Sequence, residues 1–328
     1  MKTVGVFNDT SISGHYGCTA VMKTLTSELQ QRGLKPAYLW PVAEDWQPHR
    51  ALLERYRPDI IVVNGEGTLH HSRDRKRTRD LIAVVHHAKQ LGVPAHLMNA
   101  SITALDEAAL QAVATFDSIH VRESESKVFL AAHGIESRVV PDLSLGLTQP
   151  VQEEKRSGVI VTDSVYSSTT QSLEALAGSK DFKFLKMKPR LPVATRLKAK
   201  ILRKLRRSPE ETIWYARSDA ESFARLLAQK ELVVTGRFHS VLLSILTDTP
   251  FVALPSNTRK IEAVLNDVFA CQSRLITAGD LSAPEFLAQL SQGLPFSPQE
   301  KEALALYRQQ AERGRRDMFD LIAGSCQL

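Results

Sequence analysis

The chain has 328 residues, enough to bury two ordinary cores, and its 43% apolar and 24% charged content fits a globular protein and excludes a disordered one. No 18-residue uncharged apolar run occurs, so no transmembrane helix is expected, and the first apolar run meets Asp9 too soon for a secretory leader. Net charge is +6, yet eleven Lys and Arg and no acids lie within residues 183–207, leaving a mildly acidic remainder unlike a nucleic-acid binder. Three cysteines (Cys18, Cys271, Cys326) without metal spacing predict neither a disulfide framework nor a zinc site, and a cytoplasmic protein is expected.

Short β-rich runs alternate with amphipathic helical runs, the pattern of α/β layers on parallel sheets. Strands are predicted at Thr3–Phe7, Pro36–Trp40, Asp59–Asn64, Ala95–Asn99 and Ser118–Arg122, with helices near Cys18–Arg32, Arg77–Gln90 and Glu125–His133. After a polar linker at Thr148–Ser157, strands are predicted at Val159–Thr162, Leu232–Thr235, Phe251–Leu254 and Arg274–Thr277, with helices near Ala220–Gln229, Ser240–Thr247 and Lys260–Val268. Ser297, Pro298 and Glu300 form a helix start, and Leu304, Tyr307, Ala311, Met318 and Ile322 continue a helical stripe. The expectation is two Rossmann-like domains, 1–150 and 151–296, facing a central cleft at their strand ends. A long helix in 297–328 is expected to return to the first domain.

Four segments carry candidate chemistry. The polar loop Ser11–Cys18 follows the first strand, but Gly14 and Gly17 do not make a dinucleotide fingerprint, and neither a Walker A motif nor a nucleophile elbow occurs. The apolar strand before Asn64-Gly65-Glu66-Gly67-Thr68 breaks into glycines, which lets a ligand approach the backbone. Glu66, His70 and His71 there can hold sugar hydroxyls or act as acid and base, but no further ligand recurs at metal spacing. Arg122 ends a strand, with Ser124 expected as the next helix's N-cap and Glu123 or Glu125 as an ion-pair partner. Asp142, in a Pro-Asp turn, is a turn-former by local sequence and is kept among the binding candidates.

The fourth segment, Thr235-Gly236-Arg237-Phe238-His239-Ser240, joins an apolar strand to an apolar helix. Arg237 and His239 therefore fall at a helix N-terminus, where free N–H groups favour an anion. Arginine there can grip phosphate or carboxylate in two places, and histidine can exchange a proton near neutral pH.

Taken together, the Asn64–Thr68 strand exit, the Val121–Ser126 segment and the Gly134…Val140-Pro141-Asp142 turn make a recognisable series. With Thr235–Ser240, Thr249–Leu254 and Lys260, the chain resembles the polysaccharide pyruvyl transferase family over about residues 1–270. One departure is the first loop, which reads Gly14-His15-Tyr16-Gly17-Cys18 where the family often carries Asn and Gly-Asp. The resemblance implies a GT-B-like fold and transfer of a pyruvyl group from phosphoenolpyruvate to a sugar of a cell-surface polysaccharide or its lipid-linked precursor, with phosphate released. Read onto that chemistry, His239 and Arg237 are the catalytic candidates. Arg122, Lys260, Ser240, Glu66, His15, His70 and Asp142 are the substrate-binding candidates, with no metal and no cofactor beyond the donor. A GT-B glycosyltransferase using a nucleotide-activated sugar uses the same fold and a similar anion site. A non-catalytic carbohydrate-binding or assembly subunit instead buries Arg237 and His239 in ion pairs facing no cleft.

The basic segment has its own pattern. Leu197, Ile201, Leu202 and Leu205 make an apolar stripe within Thr195–Ser208, and Arg196, Lys200, Arg203, Lys204, Arg206 and Arg207 cover the rest. That is the pattern of an interfacial helix on an anionic membrane, which predicts a peripheral position at the inner face of the cell membrane.

Overall fold

The computed structural model describes residues 1–150, 155–189, 194, 197, 201 and 219–325. The first half runs β1 (Lys2–Asp9), α1 (Tyr16–Gln31), β2 (Leu34–Pro41), α2 (Arg50–Arg55), β3 (Ile60–Glu66), α3 (Lys76–Ile82) and α4 (Val84–Leu91). It continues through β4 (Ala95–Ala100), α5 (Glu107–Val113), β5 (Ser118–Val121), α6 (Ser124–Ala131) and β6 (Arg138–Val139). The second half runs β7 (Val159–Ser164), α7 (Ser167–Ser179), β8 (Lys183–Leu185), α8 (Ala220–Ala228), β9 (Leu232–Gly236) and α9 (Phe238–Leu246). After β10 (Phe251–Ala253) come α10 (Lys260–Phe269), α11 (Pro284–Gln292) and α12 (Pro298–Gly324).

The strands form two parallel sheets, ordered β2-β1-β3-β4-β5-β6 and β10-β9-β7-β8. Their apolar runs are continuous because both sheet faces are covered. On β3, Ile61 and Val63 enter one core and Ile60 and Val62 the other. Likewise Val233 and Val234 on β9 point to opposite faces. This two-residue alternation sends successive buried side chains to opposite faces of each sheet.

Both sheets reverse direction beside their first strand, between β1 and β3 and between β7 and β9. At such a switch point the connecting loops leave to opposite faces and open a crevice at the strand carboxyl ends. The two crevices supply most of the site described below.

The long helix α12 begins with the predicted capping box: Ser297 Oγ accepts the Glu300 N–H at 3.2 Å, and Glu300 accepts the Ser297 N–H at 2.8 Å. Leu304, Tyr307 and Ala311 pack into the core of the second half, whereas Met318, Phe319 and Ile322 pack against the first sheet. One helix thus ties the halves together. Tyr16 of α1 adds a second tie by stacking on Phe223 of α8 at 4.6 Å.

Three local expectations are corrected. Arg274–Thr277 is not a strand: Leu275 makes a single bridge to Ala253, because buried Arg274 is drawn to Glu300 at 2.7 Å and to the Leu294 and Pro295 carbonyls. The helix predicted over Arg77–Gln90 is two helices meeting at Ala83. Glu123, not Ser124, is the N-cap of α6; the Ser124 N–H and hydroxyl both go to Asp267 of α10. Of the basic stretch Thr195–Ser208, Leu197 and Ile201 are described and are exposed, and the rest lies outside the described residues. Among the described residues no helix is long and apolar enough to cross a membrane.

Candidate active site

The ends of β3, β5, β7 and β9 and the starts of α1, α9 and α10 converge on one region between the halves. Arg122 follows β5 and is fully buried, with its guanidinium held from three sides. Its Nε donates to Ser101 Oγ at 2.7 Å and its Nη1 to Asp142 at 2.8 Å, while its Cζ lies 4.3 Å from the Phe238 ring centre. Phe238 belongs to the other half, so a cation–π contact joins the two. The Glu123 carboxylate is 3.7 Å from Arg122 Nε, which is the ion pair predicted from sequence.

Lys260 opens α10 behind Arg259, whose left-handed backbone (φ 52°) turns the chain into the helix. Its ammonium lies 5.9 Å from the same Phe238 ring. Burial, aided by Arg122, pulls its pKa down to about 8. Between Arg122 and Lys260 sits Gly67, where a Cβ would lie 3.6 Å from both cationic nitrogens. The missing side chain leaves a gap flanked by two cations.

Arg237 caps α9, and its Nη2 is gripped by Asp163 at the end of β7. Asp163 also accepts the Met187 N–H at 2.9 Å, and the Met187 carbonyl accepts the Tyr16 N–H at 3.2 Å. A single carboxylate thereby orients Arg237 and ties the loop after β8 to α1. The Arg237 Nε is buried with no hydrogen-bond partner among the described residues.

His239 lies one helical step further on. Its ring packs against the start of α1 so closely that a Cβ on Gly17 would overlap it, which explains the glycine there. Nε2 is buried without a hydrogen-bond partner among the described residues and lies 3.9 Å from Asp142. Burial holds the imidazole below the ordinary histidine range, with Asp142 and Glu66 opposing and Arg122 and Lys260 assisting. For Asp142, burial alone would raise the carboxyl, but His239, Arg122 and Ser144 outweigh it and hold it low.

Across from His239 stand His15, Cys18 and Glu66. His15 caps α1, accepting the Gly17 N–H on Nδ1 at 3.2 Å, and its ring is 5.3 Å from that of His239. Burial and the charges of His239, Arg237, Lys188 and Lys260 hold it well below the usual value. Glu66 accepts from Thr10, from Asn64 at 3.3 Å and from the Cys18 thiol at 3.3 Å. Burial and Glu66 together push that thiol up, which disfavours the nucleophilic thiolate. Ligand atoms of His15, Cys18 and His239 lie within 4.8 Å of one another. The trio is nonetheless ill suited to a metal ion, since His15 Nδ1 is already used as a cap and four cations surround the group.

The remaining candidates play other parts. His70 turns away toward His71, with 2.8 Å between their Nδ1 atoms, and toward Arg75; burial and Arg75 lower it to about 4. Ser240 and Asp142, expected to touch substrate, are buried, as Arg122 is; Asp142 accepts from Arg122 at 2.8 Å and lies 3.9 Å from His239, and the Ser240 hydroxyl meets Thr162 at 3.5 Å. The Gly65-Glu66-Gly67 break was read from the sequence as a point of close ligand approach, and Gly67 lies between the two cations. Sequence reasoning gave no site role to Asp163, Phe238 or Cys18.

The arrangement presents two guanidiniums, an ammonium and three helix N-termini to one space, with neutral imidazoles beside it. Such a site stabilises a small polyanion and can pass a proton to it.

Comparison with known proteins agrees on the fold and places the family. The sequence model of the family described as polysaccharide pyruvyl transferase matches residues 15–258. No curated protein sequence matches the chain. Among solved structures, Staphylococcus aureus MnaA in its UDP co-structure superposes with a TM-score of 0.56 at 14% identity, covering 95% of this chain and 91% of that one. The UDP-GlcNAc 2-epimerase of Methanocaldococcus jannaschii gives 0.53 at 12%, covering 93% and 98%. The glycotransferase of kitacinnamycin gives 0.52 at 12%, covering 99% of both chains. These likenesses establish a GT-B-like pair of Rossmann-like domains.

Proposed function

We propose that this chain, which belongs to the polysaccharide pyruvyl transferase family, takes its pyruvyl group from phosphoenolpyruvate and sets it as a ketal on a sugar of a cell-surface polysaccharide or its lipid-linked precursor. The observation that carries this reading is the space at Gly67, flanked by Arg122 from one half and Lys260 from the other. A compact trianion needs such a pair of cations, and Arg237, whose Nε has no partner among the described residues, supplies a third.

The chemistry follows from the charges. The donor's anionic groups lie against Arg122, Lys260 and Arg237. His239 takes up a proton when this anion arrives, because added negative charge opposes the burial that keeps it neutral. It then delivers that proton to the enol methylene, leaving an oxocarbenium-like carbon. An acceptor hydroxyl adds to that carbon and returns its proton to the base, with Glu66 and His15 positioned to assist. The carbon–oxygen bond to phosphate breaks, phosphate leaves, and a second hydroxyl closes the ketal. Of the two hydroxyl protons, one restores His239 and the other leaves with phosphate or solvent. This scheme uses no metal and no cofactor other than the donor.

The basic segment 183–207 is read as the contact with an anionic membrane that brings the cleft to a lipid-linked acceptor. Exposed Leu197 and Ile201 support that reading. Calorimetric titration tests the donor: phosphoenolpyruvate should bind and UDP- or CMP-sugars should not. Binding of a nucleotide sugar alone would instead select the glycosyltransferase reading.

A further inference from the structure

A cavity of about 280 Å³ opens at Gly67 and Lys260, walled on one side by Gly67, His70, Ser101 and Phe129 and on the other by Thr258 and Lys260. We propose that this cavity seats one uncharged hexose ring of the acceptor, an assignment that rests on the donor reading above. Gly67 and Lys260, which flank the proposed donor position, also wall this cavity, so a ring here abuts the donor's reacting end. Ser101 links them further, since it accepts from Arg122 and donates to Glu123 at 2.9 Å.

Charge decides between donor and acceptor. Glu123 and Glu125 line this cavity and would repel a trianion, while Lys260 and Arg259 balance them. The imidazole of His70 adds no charge, being lowered to about 4. A cavity with balanced charge suits a neutral ligand rich in hydroxyls. The chemistry of the walls agrees: the Phe129 ring can meet the apolar face of a sugar, and the amide of Asn257 can meet its rim. Thr258 supplies an independent sign, for its hydroxyl is buried and has no partner among the described residues. A buried hydroxyl without a partner is costly unless a ligand completes it. The volume is near the lower bound of small-ligand sites, roughly 300 Å³, so the cavity takes one ring. Exposed Asn257 and Glu125 mark where the rest of a glycan leaves toward solvent.

The test titrates the full chain with methyl glycosides of glucose, galactose and mannose by saturation-transfer NMR, and separately with phosphoenolpyruvate by calorimetry. At least one glycoside should bind wild type saturably. Thr258→Val should weaken it roughly three- to tenfold, the effect of one hydrogen bond, and Asn257→Trp, a change in an exposed loop, should abolish it. Both variants should bind phosphoenolpyruvate as wild type does. Absence of saturable glycoside binding, or equal glycoside binding by wild type and both variants, overturns the assignment and leaves the donor reading standing. Glycoside binding that depends on these residues, without any phosphoenolpyruvate binding, supports the cavity and removes the donor reading.

Discussion

The Asp142 carboxylate lies 3.9 Å from His239 Nε2 with the same oxygen that accepts Arg122 Nη1 at 2.8 Å. One buried oxygen is therefore shared between the first half's cation and the second half's imidazole. A donor anion that draws on Arg122 leaves more of that carboxylate's field to His239, which raises the imidazole's pKa when its proton is needed. Asp142→Asn should test this coupling. It removes an anion that raises His239, so the imidazole falls further and is less often protonated at neutral pH. The limb of the kcat profile where activity falls with rising pH should move to lower pH. An unmoved limb would show that Asp142 serves structure only.

Lys260 sets a second pH dependence. Its free-state pKa of about 8 means that the ammonium is lost as pH rises through that value, and with it one cation of the donor site. Phosphoenolpyruvate affinity should fall more steeply above pH 8 than below it, Lys260 adding up to about tenfold per pH unit to the loss that proton uptake by His239 brings from lower pH, as proton linkage requires. Lys260→Arg should flatten this fall, because guanidinium stays charged throughout. Calorimetry across pH 7–10 checks both.

Gly67→Ala should leave the fold intact, since the new methyl meets its neighbours at 3.6 Å, an ordinary contact distance, and the residue has no left-handed backbone. The methyl would nevertheless fill the space between the two cations. Donor binding should drop by roughly tenfold or more, one to two lost charge-assisted contacts, with an unchanged melting curve. Unchanged donor affinity would move the donor away from Gly67.

Arg122 illustrates how the fold changes an expectation. A strand-end arginine reads as a free binding group, yet Arg122 is buried with Asp142, Ser101 and Phe238 as partners. Arg122→Ala should therefore lower both donor affinity and melting temperature, because breaking a buried ion pair costs about 3–5 kcal/mol. A loss of affinity without a change in melting would mean that the pair with Asp142 contributes no stability.

The parts legible in the sequence were those governed by local pattern. Continuous apolar runs placed β1, β3, β4, β5, β7 and β9, because a doubly covered parallel sheet demands them. Arg237 and His239 were legible because a buried strand gives way to a buried helix within a few residues. By contrast, β8 is a three-residue strand in a basic stretch, and α7 opens with Ser-Ser-Thr-Thr, weak helix formers that read as loop. It folds as a helix because Leu173, Leu176 and Ala177 find a core. Asp163 was illegible for a different reason: its partners Arg237 and Met187 lie 74 and 24 residues away, and no spacing reports such a contact.

The membrane reading makes a separate claim. Wild type should sediment with anionic vesicles at low salt and less at high salt, since each basic residue near such a surface contributes about 1 kcal/mol. Changing Lys200, Arg203, Lys204, Arg206 and Arg207 together to Glu should abolish sedimentation. Equal binding by both proteins, or none by either, would remove the membrane from the account.

The central claim is that a proton reaches the methylene of phosphoenolpyruvate as the pyruvyl group passes to a sugar. NMR of the reaction in deuterium oxide, with phosphoenolpyruvate and a lipid-linked acceptor extract, tests it most directly. The account predicts inorganic phosphate appearing in step with a ketal methyl group that carries one deuterium, and neither signal with His239→Ala. Intact phosphoenolpyruvate, with transfer seen only from a nucleotide sugar, would contradict it.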